Sequence, residues 1–141
     1  MKLKRTVADH WFSRCVRMRN DFICQGCGRQ YEENSMALHC SHYFGRAKKG
    51  VRYDGLNAFA HCYGCHKKFG SNPDYFYRHY VDTYGEGALK ILREKVEDIM
   101  LGKRMVKEHS QISKHYKEQA GILENKRFKG IKGWIDFESW D

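Results

Sequence analysis

Between Thr6 and Asn20 the chain carries no Gly or Pro. Val7, Trp11, Cys15 and Met18 recur there at spacings of four, four and three, with Phe12 beside them, which predicts a helix within an N-terminal unit of residues 1–21. On that face Cys15 reads as a small buried apolar residue. The next segment, Phe22-Ile23-Cys24-Gln25-Gly26-Cys27-Gly28, is too glycine-rich for a helix and predicts a knuckle turn whose backbone amides approach the cysteine sulfurs. Two short apolar runs follow, Met36 to Phe44 and Leu56 to Cys62. The basic stretch between them ends in the turn signal Asp54-Gly55, so the pair predicts a β-hairpin with a long connection. A short helix can begin after Cys62, and a second after Asn72 as N-cap with Pro73 at its first position.

Beyond Gly85-Glu86-Gly87, Leu89, Leu92, Val96 and Ile99 fall at spacings of three, four and three. They predict an amphipathic arm that continues as a charged helix to about Gln119. Such a stripe either packs on its own domain or forms the seam of a homodimer. The tail, with Gly121, Gly130 and Gly133 and then Trp134, Phe137 and Trp140, shows no period and is expected to be irregular and to dock through its aromatics.

A chain of 141 residues fits one domain whose modest core gains from a staple. Lys and Arg number 26 against 17 Asp and Glu, a formal net charge of +9, which favours a polyanionic partner and makes nucleic acid the first candidate. From Tyr43 to Lys68 the charge concentrates: Arg46, Lys48, Lys49, Arg52, Lys67 and Lys68 face a single acid, Asp54. No apolar run approaches the roughly 20 residues needed to span a bilayer. The polar start Met1-Lys2-Leu3-Lys4-Arg5 also lacks the apolar stretch of a signal peptide. An intracellular chain with no membrane partner is therefore expected. In a reducing compartment disulfides are rare, so six cysteines, four of them in two Cys-x-x-Cys pairs, predict metal binding.

Zn²⁺ takes four thiolates in a tetrahedron, and each Cys-x-x-Cys turn offers two. Cys24 and Cys27 with Cys62 and Cys65 therefore predict a structural zinc site. The pairs lie 34 residues apart, so the segment between them must hold structure of its own. Within it stand Leu38-His39-Cys40-Ser41-His42-Tyr43 and Asn57, and His66 follows the last of the four cysteines. Two imidazoles and an amide gathered by a hairpin, a helix and a metal clamp can bind one divalent ion and activate one water.

This order resembles the His-Asn-His (HNH) endonucleases of the ββα-metal fold. More narrowly, residues 24 to about 95 resemble the phage NinG/Rap recombination endonucleases. The matching residues are Ser41-His42-Tyr43, Arg52-Tyr53-Asp54, Asn57, Cys62-Tyr63-Gly64-Cys65 and Gly70-Ser71-Asn72, with Ser41 in place of the family's Gly and His66 where that family often has Asn. The resemblance implies an α+β fold. Residues 22–85 would form a small zinc-stapled ββα-metal nuclease core, flanked by the N-terminal helix and by a C-terminal helical arm and tail over residues 86–141.

It further implies that His42 is the general base, that His66 holds a catalytic Mg²⁺ or Mn²⁺ against the scissile phosphate, and that Asn57 positions His42 by bracing the hairpin loop. His39 stands where the family carries Asp or His and is the candidate second ligand, although residues three apart on a strand need a bend to converge. The competing readings are a hairpin histidine satisfied by backbone for His42, helix packing for His66 and an ordinary turn residue for Asn57. Cys40, His61 and His79 read as packing residues. Arg46, Lys48, Lys49, Arg52, Lys67 and Lys68 are candidate DNA phosphate contacts, which supply affinity and salt dependence rather than sequence choice.

The function expected is metal-dependent hydrolysis of DNA phosphodiesters, by resemblance on branched recombination intermediates such as Holliday junctions or D-loops, with recombination proteins as further partners. A phage-encoded enzyme of this kind would act in the cytoplasm of its host. The alternatives are a non-catalytic zinc-knuckle DNA-binding protein of recombination or replication, and a nicking or homing HNH endonuclease acting on plain duplex.

Overall fold

The fold was analysed in a computed structural model that describes residues 3–141, so Met1 and Lys2 of the polar start lie outside it. Helix α1 spans Val7–Arg19 and begins at a reciprocal capping box: the Thr6 hydroxyl accepts from the Asp9 amide at 3.1 Å, and Asp9 Oδ2 accepts from the Thr6 amide at 2.8 Å. Its buried face is rotated from the expected one. Ala8, Phe12, Cys15, Val16 and Met18 are buried, whereas Val7 is 61% exposed. The helix packs against α6, and Cys15 lies in the seam with its Sγ donating to the Tyr116 carbonyl at 3.3 Å.

The knuckle at residues 22–30 contains no helix, and its ends meet in a single bridge between Ile23 and Gln30. Strands β1 (Leu38–His42) and β2 (Ala58–Cys62) pair antiparallel, with Leu38 opposite Cys62, His39 opposite His61 and His42 opposite Ala58. Met36 precedes β1 and is solvent-exposed, so the first apolar run extends beyond its strand. The connection between the strands forms two short 3₁₀ turns, Lys49–Val51 and Gly55–Asn57. Asp54 caps the second by accepting from the Leu56 amide at 2.9 Å.

Helix α2 (Tyr63–Ser71) follows β2 directly, then α3 (Pro73–Tyr84) with Pro73 at its first position. The Asn72 side chain does not cap α3; its Nδ2 donates back to the Lys68 carbonyl at 2.7 Å and closes the end of α2 instead.

The C-terminal arm is not one helix but three: α4 (Glu86–Glu97), α5 (Ile99–Lys107) and α6 (His109–Phe128). Asp98 makes the first break, because its side chain accepts from the Leu101 amide at 3.0 Å and starts α5. Leu89 and Leu92 are buried in the protein's own core and Val96 packs against that core, while Ile99 is 73% exposed. The Leu89 and Leu92 part of the stripe is therefore internal and leaves no seam there for a second copy, while Ile99 lies outside the core.

Among the described residues six α-helices and one two-stranded sheet make an α+β fold with two main cores. One joins α1, α6 and the tail around Phe12, Tyr116 and Phe137; the other joins Val51 and Phe59 to α2, α3 and α4 through Phe69, Phe76, Tyr80, Leu89 and Leu92. Helix α6 runs through Gly121 to Phe128, past the expected end near Gln119, so only residues 129–141 are irregular; that tail docks through Phe137, with Trp140 donating its amide to the Tyr116 hydroxyl at 2.8 Å. Arg19, 1% exposed, ties the cores together: it donates to the carbonyls of Gly55 and Ala58 at 3.0 Å each and lies against the rings of Trp134 and Phe137. No helix of the described chain is long and apolar enough to cross a membrane.

Candidate active site

Cys24 and Cys27 come from the knuckle, Cys62 from the end of β2 and Cys65 from the first turn of α2. Their sulfurs all lie within 4.8 Å of one another. Sulfurs about 2.3 Å from one tetrahedral ion stand about 3.8 Å apart, and the Cys27 and Cys62 sulfurs are separated by 3.9 Å. Backbone amides already point at the sulfurs: Gly26 and Cys62 donate to Cys24 Sγ at 3.3 and 3.2 Å, and Cys65 donates to Cys62 Sγ at 3.5 Å.

Gly26 is required by space, since a Cβ there would fall 2.8 Å from Cys65 Sγ. Burial tends to raise the thiols of Cys24, Cys62 and Cys65. At Cys62 the hydrogen bonds from Cys65 outweigh it and bring the thiol down to about 6, while Cys24 and Cys65 are pushed up. Four clustered thiolates repel one another until a cation joins them, so this donor set fits a structural metal such as zinc.

Beside the cluster, β1 and α2 bring two imidazoles together: His39 Nδ1 and His66 Nδ1 lie 3.1 Å apart. Two ring nitrogens each about 2.1 Å from one ion and at right angles about it would stand about 3.0 Å apart, so the pair matches two ligands of a single cation. Lacking an ion, the pair can equally share a proton. The His66 imidazole is held below its ordinary pKa by burial and, to a lesser degree, by His39.

His42 ends β1. Its Nε2 lies 2.9 Å from the Arg52 carbonyl, which can only accept, so Nε2 carries the proton and Nδ1 keeps the lone pair. Burial lowers its pKa to about 4, and the ring is neutral at neutral pH. Asn57, wholly buried, braces the loop after His42: its Nδ2 donates to the carbonyls of Phe44 and Val51 at 2.9 and 3.0 Å, and its Oδ1 accepts from the Phe44 amide at 2.8 Å. Its side chain bonds to backbone alone. His61 and His79 form a separate pair, Nε2 to Nε2 at 2.9 Å, among Phe59, Phe69 and Phe76.

His39, His42 and His66 all line one cleft of about 950 Å³. Its opposite wall is α1, which contributes His10, Arg14 and Arg17, with Arg5 ahead of the helix and Arg46 from the connection. The reading from sequence missed this wall, although His10, Arg14 and Arg17 fall at spacings of four and three on the polar side of α1. Of the six candidate phosphate contacts only Arg46 lines the cleft, and Lys48, Lys49, Lys67 and Lys68 are exposed outside it.

Arg52 requires correction. It is 9% exposed and turned inward, with Nε and a terminal nitrogen both on Asp9, so its guanidinium is a structural partner rather than a phosphate contact. Cys40 is half-buried, lines the cleft, and has its thiol pushed up to about 12 by burial; it is protonated and inert at neutral pH. Comparison of the chain with protein-family models, with curated proteins and with solved structures finds no match.

Proposed function

We propose that this chain is a metal-dependent endonuclease that hydrolyses DNA phosphodiester bonds in the cleft between α1 and the β1–β2–α2 unit. The observation that carries the reading is the convergence of His39 and His66 at 3.1 Å beside a neutral, backbone-oriented His42, all on the wall of one basic cleft. The strand–strand–helix order, stapled by four cysteines taken as a zinc site, and the bracing Asn57 fit the HNH resemblance.

In this reading His42 Nδ1 takes a proton from a water as its oxygen attacks the phosphorus, and the bond to the 3′ oxygen breaks. The Arg52 carbonyl accepts from Nε2–H, fixing the ring's tautomer and steadying the imidazolium as it forms. Asn57 keeps the loop after β1 from drifting and so holds His42 in register. His39 and His66 would hold a divalent ion, Mg²⁺ or Mn²⁺, whose charge neutralises the leaving oxygen. Mg²⁺ favours an all-oxygen shell, so Mn²⁺ is expected to support the higher rate with two imidazole donors. The substrate class is DNA, and the resemblance points to branched intermediates.

The test is incubation of wild type and His42→Ala with labelled four-way junction, duplex and single-stranded DNA, with Mn²⁺, Mg²⁺ or chelator, while zinc content is followed. Cleavage by wild type with either ion, reduced roughly 10²–10⁴-fold in a zinc-loaded His42→Ala, is the expected result. Binding without cleavage under every ion would replace the nuclease by a DNA-binding scaffold in which His39 and His66 share a proton.

A further inference from the structure

The cations and acids of the cleft do not balance. Asp9 is occupied by Arg52 and has Arg46 at 3.7 Å; Glu33 pairs with Arg14, which also reaches Glu124 at 3.0 Å. Among the described residues neither Arg5 nor Arg17 has an ion-pair partner.

Arg17 differs from a solvated surface arginine. It is half-buried, its Nε donates to the Ser13 carbonyl at 3.3 Å, and no described residue accepts from its terminal NH₂ groups. Burial pushes its pKa below the ordinary value, opposed by Cys40 and aided, less strongly than Cys40 opposes, by Arg14 and Arg5. A guanidinium that is desolvated, crowded by like charges and left without an acid is stabilised by any anion that enters beside it, and its planar fork matches two phosphate oxygens. The three histidines of the cleft are the reacting groups in the nuclease reading, so a strand lying over them brings its neighbouring phosphates along the wall built by α1.

We propose that Arg17, seconded by Arg5, anchors a phosphodiester of the substrate strand adjacent to the one that is cut. The inference rests on the nuclease reading and moves the main grip on DNA from the lysines of the hairpin connection and α2 to α1.

Binding and cleavage separate the two claims. In chelator, anisotropy of labelled single-stranded and junction DNA would be followed against salt for wild type, Arg17→Ala, Arg17→Lys and the exposed control Lys90→Ala. Zinc content and thermal melting would verify each fold, and Arg17→Gln would serve if the alanine variant unfolds. Arg17→Ala is expected to weaken binding about tenfold and to reduce the slope of log K against log salt by about 1, as loss of one phosphate contact requires. Arg17→Lys should keep the slope with intermediate affinity, and Lys90→Ala should match wild type. With Mn²⁺, Arg17→Ala should raise KM with kcat within about twofold, whereas His42→Ala should lose kcat and still bind.

Wild-type affinity and slope in Arg17→Ala would overturn the anchor and leave the nuclease standing. Arg17-dependent binding by a protein that never cleaves would sink the nuclease and uphold the anchor. Failure of wild type to bind any of these DNAs would overturn both.

Discussion

Arg52 and Asp9 meet across 43 residues of chain: Nε donates to Oδ1 at 3.0 Å and a terminal nitrogen to Oδ2 at 2.5 Å, which fastens the first turn of α1 to the β1–β2 connection. Burial alone would raise the Asp9 carboxyl, but hydrogen bonds from Arg52 and Thr6 outweigh it and hold the group below its ordinary pKa. Removing one partner strands the other charge, so Asp9→Ala should cost roughly 3–5 kcal/mol of unfolding free energy. The double variant Asp9→Leu/Arg52→Met should lose less than the sum of its single changes. Urea unfolding checks this, and a cost under about 1 kcal/mol for Asp9→Ala would contradict an interior pair.

Zinc removal should act on the same unit from the other side. With four thiolates drawn from the knuckle, β2 and α2, Cys62→Ser is expected to drop bound zinc from one per chain to near zero and to unfold the motif. Metal analysis beside circular dichroism reads both effects. A stably folded, zinc-free and fully active Cys62→Ser protein would disprove the structural role.

His42 makes stability depend on pH with a definite sign. Its folded pKa of about 4 lies below an unfolded value of about 6.5, so between these values the unfolded chain binds more protons and stability falls as pH falls. The contribution is fully present above about pH 6.5 and is lost by about pH 4, an amount of about 3 kcal/mol. Because other groups titrate in both proteins, the informative quantity is the difference in unfolding free energy between wild type and His42→Gln, which should change by that amount from pH 7 to pH 4. A difference independent of pH would mean that the ring is solvated.

Leu92 tests whether the apolar stripe of α4 is core or seam. It is 1% exposed against Val51, Phe59 and Leu89 within a single chain, so Leu92→Ala should destabilise by about 2–5 kcal/mol at any protein concentration. Dissociation of a dimer on the same substitution, seen by sedimentation, would restore the seam.

Local signals were legible and long-range partnerships were not. Hairpin, knuckle turn and the two Cys-x-x-Cys pairs follow from spacing and residue type, because each is decided within a few residues. The break at Asp98 was masked by a continuing apolar period, although an Asp ahead of Ile99-Met100-Leu101 is itself a cap signal. The fate of Arg52 hung on an acid 43 positions earlier, and the basic wall of the cleft exists only once α1 lies across from His42. The tail's docking site was invisible for the same reason: one aromatic, Phe137, wedges against Phe12 and Tyr116 without a periodic pattern to announce it.

The contacts of the tail set an order of assembly during synthesis. Ser139 accepts from the Gly55 amide, and Trp140 holds the hydroxyl of Tyr116, which donates in turn to the carbonyl of Tyr53, the neighbour of the carbonyl on His42. A ribosome exposes the knuckle, the histidines and the connection long before residue 139, so on the growing chain the backbone behind His42 stands without its support until the last residues are made.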